Sequence, residues 1–261
     1  MRAMDSINTR IDNLLPHRLP RPLTRMLSRS GLPKVIERLP GLDKFVWQSG
    51  PFWEPDVCAM IQRFVKPGWI CVDVGANIGR MTLLLARLVG PYGRVIAFEP
   101  LPSNARLLQE KCAFWHYRER VRVENMAVSD GSDDHLWLFP GRGRGCAEWN
   151  IMGYDINGNK TEPEMEIAAT SLDAYFPVSS HLDLVKIDVE GAEAKVLAGM
   201  RRLLHEARPI VLVEFHDEVG WDGRWELLSQ HYRLYDMSLR RLAPSSQWVY
   251  HVLGLPQEWG T

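Results

Sequence analysis

From residue 69 onward the chain alternates short apolar runs with longer segments of helical spacing. WICVDVG, GRVIAFEP, RVRVENMAVSD, LDLVKIDVE and PIVLVEFH are rich in Val and Ile, which predicts buried strands. GRMTLLLARLVG, SNARLLQEKCAFW and AEAKVLAGMRRLLHEA lie between these runs and predict helices, the second of them opened by Ser103. YRLYDMS and WVYHVLGL predict two more strands near the end of the chain.

Strands separated by helix-length segments predict an α/β fold with right-handed crossovers. The expected architecture is a Rossmann-like, doubly wound, mostly parallel sheet of seven strands. Such sheets bind ligands at the carboxyl ends of their strands, where the strand order reverses. Polar residues collect at those ends, namely Asp73, Glu99, Asn125, Asp188 and His216. The sequence therefore predicts a ligand site along this edge.

A polar, glycine-containing stretch interrupts the alternation between residues 141 and 165. Connections of this length are uncommon in compact domains and are often functional lids. We expect a mobile lid that shapes an acceptor pocket, with Trp149 and Tyr154 as contact residues.

Residues 1–45 form a distinct extension that precedes the domain of residues 46–261. The extension is rich in Arg and Pro, and its prolines forbid one long helix. Two interpretations stay open. The segment is either an irregular arm that lies over the domain, or a basic segment that makes weak contact with a membrane surface or a partner.

Composition narrows the classes of partner and compartment. The chain has 261 residues and a formal net charge of -1, which gives no electrostatic reason to expect a nucleic acid. The 4 cysteines are scattered without metal spacing, which predicts a reducing compartment, the cytosol. The sequence contains no apolar run long enough for a transmembrane segment and no signal-peptide core. Nothing in it indicates an oligomeric state.

The stretch DVGANIGRMT is a glycine-rich turn between a strand and a helix. Gly75 lets the chain turn tightly, and Gly79 lets the helix start pack closely. A dinucleotide fingerprint requires glycine at positions 75, 77 and 80, whereas this chain has Asn77 and Arg80. The turn therefore argues against a pyrophosphate ligand and against an NAD-dependent oxidoreductase.

Two acids flank this turn and define the ligand more closely. Asp73 would repel phosphates but suits a cationic amine, and Glu99 is placed to accept hydrogen bonds from both ribose hydroxyls. Alone, each acid has the alternative interpretation of a capping residue. Together they describe a ligand with a ribose and an ammonium group but no pyrophosphate, which S-adenosylmethionine (SAM) satisfies.

VDVGANIGRMT together with VIAFEP resembles the first two motifs of a class I SAM-dependent methyltransferase. VKIDVEGAEAKVLAGM and LVEFH resemble the later signature of the FkbM family within that class, and PFWEPDV, ENMAVSD and TSLDAYF match it in type and order. The resemblance covers about residues 50–217 and has no counterpart for the first 45. It implies SAM as the cofactor, S-adenosylhomocysteine (SAH) as the product, and O-methylation of a hydroxyl on a small molecule, sugar or lipid.

The resemblance also assigns cofactor residues by position. Asp73 and the turn would line the methionine part of SAM, Glu54 would close over the cofactor from the helix side, and Glu99 would hold the ribose. The residues after the third strand would flank the adenine, and Asp188 would face the methyl end. The full predicted set is Glu54, Asp73, Gly75, Ala76, Asn77, Gly79, Glu99, Asn125, Met126, Ala127 and Asp188.

Three residues are predicted to be catalytic: Asp188, Glu190 and His216. Methyl transfer to oxygen needs an aligned acceptor and removal of its proton, and an imidazole with a pKa of about 6.5 suits that second task. Glu190 and Glu193 have the alternative of first-turn acids that favour the helix dipole. Further alternatives are a divalent ion held by the three residues, which their spacing does not require, and a SAM-binding homologue without catalysis.

Overall fold

A computed structural model describes residues 54–140, 149–150, 165–216, 218, 221–244 and 246–259. Its elements, in chain order, are α1 (Pro55–Phe64), β1 (Ile70–Val74), α2 (Arg80–Leu88), β2 (Arg94–Phe98), α3 (Pro102–Phe114), β3 (Val121–Glu124), β4 (Ala127–Val128), β5 (His135–Pro140), β6 (Trp149–Asn150), β7 (Met165–Thr170), α4 (Leu172–Tyr175), β8 (Leu184–Ile187), α5 (Glu193–Ala198), α6 (Arg201–Glu206), β9 (Ile210–Glu214), α7 (Trp221–Ser229), β10 (Tyr232–Tyr235) and β11 (His251–Pro256).

Three sequence-based expectations fall wholly or mostly outside the described residues. They are the basic extension at residues 1–45, most of the lid at residues 141–165, and the contact side chains of Trp149 and Tyr154. Each stays a prediction. Among the described residues, no helix has both the length and the apolar character that crossing a bilayer requires.

The main sheet has seven strands in the order β10-β11-β9-β8-β1-β2-β3. Pairings from β9 through β3 are parallel, and only β11 runs antiparallel to its neighbours β9 and β10. The chain builds outward from β1 to β3 and later returns to place β8 on the other side of β1. The strand order therefore reverses between β1 and β8, which confirms the predicted doubly wound sheet and its switch point.

Both faces of the central strands are buried, as the continuous apolar runs predict. On β1, Cys71 belongs to the core that α1, α2 and α3 cover, whereas Val72 belongs to the core under α5 and α6. Leu85 of α2 and Leu203 of α6 are both fully buried on these opposite sides. This alternation is the two-residue period of a strand that is covered on both faces.

Two predicted helices begin or end differently in the structure. Pro102 is the first residue of α3 and Leu101 is its N-cap, so the prediction that Ser103 opens this helix was wrong. Proline already has a helical φ and needs no amide donor at this position. The segment AEAKVLAGMRRLLHEA forms two short helices, because Gly199 packs on the backbone of Ser129, where an added Cβ would lie 2.0 Å from the carbonyl oxygen.

A second sheet, in the order β4-β7-β5-β6, was not predicted from the sequence. The single predicted strand RVRVENMAVSD divides into β3, which joins the main sheet, and β4, which pairs with β7 instead. Leu138 of β5 and Ile167 of β7 form a small separate core with Leu101 and Ala127. This sheet therefore lies beside the carboxyl end of β2 and contributes to the wall of the predicted site.

Candidate active site at the carboxyl edge of the sheet

A cleft opens at the carboxyl ends of β1, β2 and β8, on the predicted edge of the sheet. Its main part, which we call the nucleoside half, lies between the turn after β1 and the loop after β2. This nucleoside half is lined by Val74, Gly75, Asn77, Phe98, Glu99, Pro100, Leu101, Asn104, Met126, Ala127, Val128, Leu138, Asp188, Val189, Glu190 and Ala192. The adjoining amino-acid half is lined by Glu54, Gly75, Ala76, Asn77, Ile78, Arg80, Met81, Lys186 and Asp188.

The glycine-rich turn is shaped by close contacts with neighbouring elements. Gly75 has a φ of +78°, and an added Cβ would lie 1.7 Å from the backbone oxygen of Asp188. Gly79 has a φ of +87° and packs on Leu108 of α3, where an added Cβ would lie 2.1 Å from Cδ1. Gly75 therefore lines the cleft as predicted. Gly79 lines neither half among the described residues and serves the predicted packing of the helix start.

Glu99 lies at the end of β2 and holds the loops on both sides of the nucleoside half. Its Oε2 accepts a hydrogen bond of 2.7 Å from the amide of Asn77, and its Oε1 accepts one of 2.9 Å from the amide of Leu101. Burial raises the pKa of this carboxyl to about 7, although the two amides oppose that shift. Each oxygen keeps a second lone pair, so the predicted ribose contact is chemically compatible with this position.

The predicted adenine residues divide between two roles. Met126 and Ala127 line the nucleoside half. Asn125 is exposed, and its side-chain amide donates hydrogen bonds to the carbonyl oxygens of Glu99, at 2.9 Å, and Pro100, at 2.8 Å. Asn125 therefore fixes the loop after β2 rather than lining the cleft.

Asp73 lies behind the wall of the cleft rather than on it. It is fully buried, accepts a 2.5 Å hydrogen bond from Thr82, and lies 3.8 Å from the ammonium of Lys186. It lines neither half of the cleft. The geometry therefore does not support the predicted direct contact between Asp73 and the ammonium group of SAM. The side chain of Asp73 points from β1 toward Thr82 of α2, into the core, and not into the cleft.

Lys186 connects this buried acid to the cleft. Its ammonium lies 2.8 Å from Oδ2 of Asp188, two residues further along the chain. Burial alone would lower the pKa of Lys186, but the carboxylates of Asp188, Asp73 and Glu54 outweigh burial and raise it. Lys186 is therefore a fixed positive charge, and it holds Asp188 where the two halves of the cleft meet.

His216 is surrounded by carboxylates from three elements. Its Nδ1 lies 2.8 Å from Oε1 of Glu193, and its Nε2 lies 3.3 Å from an oxygen of Glu190, 3.3 Å from one of Glu214 and 3.7 Å from one of Asp188. The structure therefore brings together the three predicted catalytic residues, Asp188, Glu190 and His216.

The environment of His216 corrects the premise of its predicted role. Burial alone would lower its pKa, but hydrogen bonds with Glu193 and Glu214 and the charge of Glu190 raise it to about 11. With only protein groups around it, His216 is an imidazolium at neutral pH and has no lone pair to accept a proton. The reference pKa of 6.5 was the wrong value, because it ignored acids that only the fold brings to the ring.

Sequence reasoning gave no role in the site to three contributors to this cluster, namely Glu193, Glu214 and His251. Glu193 is fully buried and accepts hydrogen bonds from His216 and from the amide of Gly191, so it is not an exposed first-turn acid. Glu214 is buried beside His251, which is its partner across the β9–β11 register. The spacing of Glu214 and His216, two residues apart near a strand end, was the available signal. The antiparallel partner His251 had no comparable signal.

Glu54 precedes α1 and lines the amino-acid half, and its contact with the cofactor stays a prediction. It is half-buried, and burial raises the pKa of its carboxyl to about 7. Its Oε2 is buried and makes no hydrogen bond with any described residue. Glu54 and Asp188 supply acids in this half, and Arg80 and Lys186 supply bases, which suits a ligand that carries both an ammonium and a carboxylate.

Comparison with known protein families identifies the chain. Residues 73–240 match the methyltransferase FkbM domain. The chain belongs to the FkbM methyltransferase family. It is accordingly a SAM-dependent methyltransferase, and the predicted cofactor is confirmed.

Curated relatives of the FkbM-family chain cover most of its domain. The 2-O-methyltransferase NoeI of Sinorhizobium fredii is 26% identical over 180 residues, which are 64% of this chain and 72% of NoeI. The 31-O-demethyl-FK506 methyltransferase FkbM of Streptomyces tacrolimicus is 28% identical over 183 residues, 60% of this chain and 68% of that protein.

Solved structures that align with this chain include an FkbM methyltransferase and an O-methyltransferase. The FkbM methyltransferase of Methylobacillus flagellatus aligns with 16% identity and a TM-score of 0.48, over 82% of this chain and 52% of that one. The O-methyltransferase of Bacillus cereus in complex with SAH aligns with 14% identity and a TM-score of 0.46, over 79% of this chain and 83% of that one.

The residues of the cleft fit SAM by their chemistry. Apolar side chains such as Phe98, Leu101 and Met126 offer walls for a base, and Glu99 offers a carboxylate for ribose hydroxyls. The mixed acids and bases of the amino-acid half suit a zwitterion. Asp188 is common to both halves and offers negative charge where a sulfonium between nucleoside and amino acid would lie.

Proposed function

We propose that this FkbM-family methyltransferase transfers the methyl group of SAM to a hydroxyl oxygen of a small-molecule, sugar or lipid acceptor. The observation that carries the proposal is the position of Asp188. Asp188 lines both halves of the cofactor cleft. One of its carboxylate oxygens is bound to Lys186, and the other lies 3.7 Å from Nε2 of His216. The methyl end of the cleft therefore adjoins groups that can align an acceptor and take its proton.

The residues of the cluster divide the work of this transfer. SAM supplies a methyl group on a sulfonium, so the acceptor oxygen forms the new bond to carbon while the carbon–sulfur electron pair returns to sulfur. The hydroxyl proton must leave during this step. Glu190, whose side chain is 45% exposed at the rim, is the carboxylate that we assign to accept it. Asp188 is tied to Lys186 and positions the reacting end of the cleft.

Two relatives support oxygen as the atom that is methylated. NoeI is named a 2-O-methyltransferase, and the Streptomyces protein is named for a 31-O position. Their names do not identify the acceptor of this chain. The unpaired Cys58, Cys71 and Cys112 are compatible with the proposed cytosolic location.

The test is the chemical identity of the methylated product. The full chain is incubated with SAM that carries a labelled methyl group and with separate pools of polyols, sugars, lipid alcohols, carboxylic acids and amines. Label in an alkali-stable ether from a hydroxyl pool supports the proposal. Label confined to an alkali-labile ester or to an amine product would contradict it.

A further inference from the structure

Carboxylate oxygens of three residues converge on one nitrogen of the His216 ring. Oxygens of Glu190 and Glu214, each at 3.3 Å, and of Asp188, at 3.7 Å, converge on Nε2. A single Nε2–H bond points in one direction and serves one of these oxygens well. Carboxylate oxygens such as these are the ligands that hard cations prefer.

The opposite ring nitrogen is already occupied by a buried carboxylate. Nδ1 lies 2.8 Å from Oε1 of Glu193, a residue with no exposed surface. In metal sites, a ligating histidine typically donates its second N–H to such a carboxylate, which fixes the tautomer and directs the free nitrogen toward the ion. Glu193 therefore leaves Nε2 as the nitrogen that faces the convergent oxygens.

The spacing of these donor atoms agrees with ligands that share one ion. Two ligands at right angles around a cation, each about 2.1 Å from it, lie about 3 Å apart. The Nε2 distances to Glu214 and Asp188 are 3.3 and 3.7 Å, and ligand atoms of Asp188, Glu214 and His216 all lie within 4.8 Å of one another. Small adjustments of side chains would bring all three to one centre.

Two acids that neighbour members of this triad each carry a buried oxygen without a hydrogen bond to the described part of the chain. Oε2 of the fully buried Glu193 and Oε2 of Glu54 make no hydrogen bond with any described residue. A carboxylate oxygen of Glu54 also lies within 4.8 Å of ligand atoms of Glu214 and His251, so Glu214 is shared by two such groups. Buried carboxylate oxygens without partners carry a desolvation cost, and positive charge in their neighbourhood reduces it.

We propose that Asp188, Glu214 and His216 bind one divalent cation, which displaces the Nε2 proton of His216 to solvent, and that Glu193 is a positioning residue for His216. Two carboxylates suit Mn²⁺ or Mg²⁺, while the imidazole favours a first-row transition ion, so Mn²⁺ matches the mixed set. The triad contains no thiolate that would select a soft metal.

The position of the ion gives it a role in the proposed reaction. Asp188 also lines the cofactor cleft, so the ion lies beside the methyl end and can take the acceptor's hydroxyl oxygen as a further ligand. A bound ion would lower the pKa of that hydroxyl, and Glu190 would accept the proton that leaves. This role rests on the proposed hydroxyl transfer, whereas binding of the ion does not.

The test is titration of the full chain with Mn²⁺ alone, followed by electron paramagnetic resonance, because bound Mn²⁺ loses the sharp six-line spectrum of the free ion. We expect one site with a Kd below about 1 mM for the unsubstituted protein. His216→Gln and, separately, Asp188→Asn should abolish it. Glu193→Gln should weaken it by about 10–100-fold.

His181→Gln is the matched control, because His181 also lies 3.0 Å from a carboxylate, that of Asp183, but at the opposite edge of the sheet. It should bind Mn²⁺ as the unsubstituted protein does. Absence of saturable binding in the unsubstituted protein would overturn the proposal. Equal binding by His216→Gln, Asp188→Asn and His181→Gln, all shown to be folded by circular dichroism, would also overturn it. The titration contains neither SAM nor an acceptor. Its result therefore does not depend on whether the protein methylates hydroxyl groups.

Discussion

The two ends of the cofactor cleft are built in different ways. The nucleoside half is mostly apolar and rests on one buried acid, Glu99, which is held by amides of the two adjacent loops. The far end is a cluster of acids and histidines gathered from α1, β8, α5, β9 and β11. A binding surface can follow from short, local motifs. A reactive cluster depends on how strands and helices that are distant in sequence are packed, and its charged groups shift one another's pKa values.

The largest effect is expected at the reactive end, from Glu190→Gln. Loss of a general base typically lowers turnover by about 10²–10⁴-fold, and SAM affinity should stay nearly unchanged. Steady-state turnover and SAH calorimetry separate the two quantities. Glu119→Gln is the control, because Glu119 is an exposed acid at the opposite edge of the sheet. Full turnover in Glu190→Gln would remove Glu190 from the reaction.

In the nucleoside half, Glu99→Ala should lower SAM affinity, which Glu190→Gln leaves nearly unchanged. Two hydrogen bonds from ribose to a charged group, each contributing about 1.5–3 kcal/mol, imply a loss of SAM affinity of about a hundredfold or more. Calorimetry with SAM measures the loss, with Glu119→Ala as control and circular dichroism as the check on folding. An unchanged Kd in a folded variant would place the ribose elsewhere.

The junction of the two ends is tested by Gly75→Ala. An added Cβ would lie 1.7 Å from the backbone oxygen of Asp188, so the turn and the end of β8 must separate. Gly68→Ala is the matched control, since Gly68 has a φ of +88° but no atom within 4 Å of the added Cβ. Both variants carry the cost of positive φ, about 1–2 kcal/mol.

Gly75→Ala should cost roughly a further 1–3 kcal/mol in the free energy of unfolding, measured by urea denaturation. Equal losses in the two variants would mean that the contact between Gly75 and Asp188 does not constrain the cleft.

The smallest effect is the pH dependence of cofactor binding. The pKa of Glu99 is about 7, and the ionised carboxylate is the better acceptor for ribose hydroxyls. Its ionised fraction rises from about one tenth at pH 6 to about nine tenths at pH 8, so SAH affinity should rise about tenfold over that window and fall again as the pH is lowered. Calorimetry on Glu99→Gln should show a correspondingly smaller change. Identical pH profiles for both chains would contradict this assignment.

The comparison of the two ends also explains which features the sequence predicts. The parallel sheet, its switch point and the placement of Glu99 and Asp188 at strand ends follow from local periodicity and from the strand–turn–helix motifs. The break at Gly199 and the pairing of β4 with β7 depend on contacts with distant residues, so local patterns do not reveal them.

The same reasoning applies to the charged residues. Strand periodicity does not predict that Asp73 lies behind the wall of the cleft. Its hydrogen bond with Thr82 and its ion pair with Lys186 depend on the packing of α2 and β8 against β1. The state of His216 depends on Glu193 and Glu214, which reach the ring from other parts of the fold. The sequence therefore indicates which strand ends carry polar residues, whereas the protonation of His216 depends on contacts that only the fold creates.

A crystal structure of the full chain with SAH tests the central claim most directly, because one ligand spans both ends of the cleft. The account predicts ribose hydroxyls on the carboxylate of Glu99, the amino-acid part beside Glu54 and Lys186, and the sulfur facing Asp188. Ribose away from Glu99, or sulfur directed away from Asp188 and the His216 cluster, would contradict it.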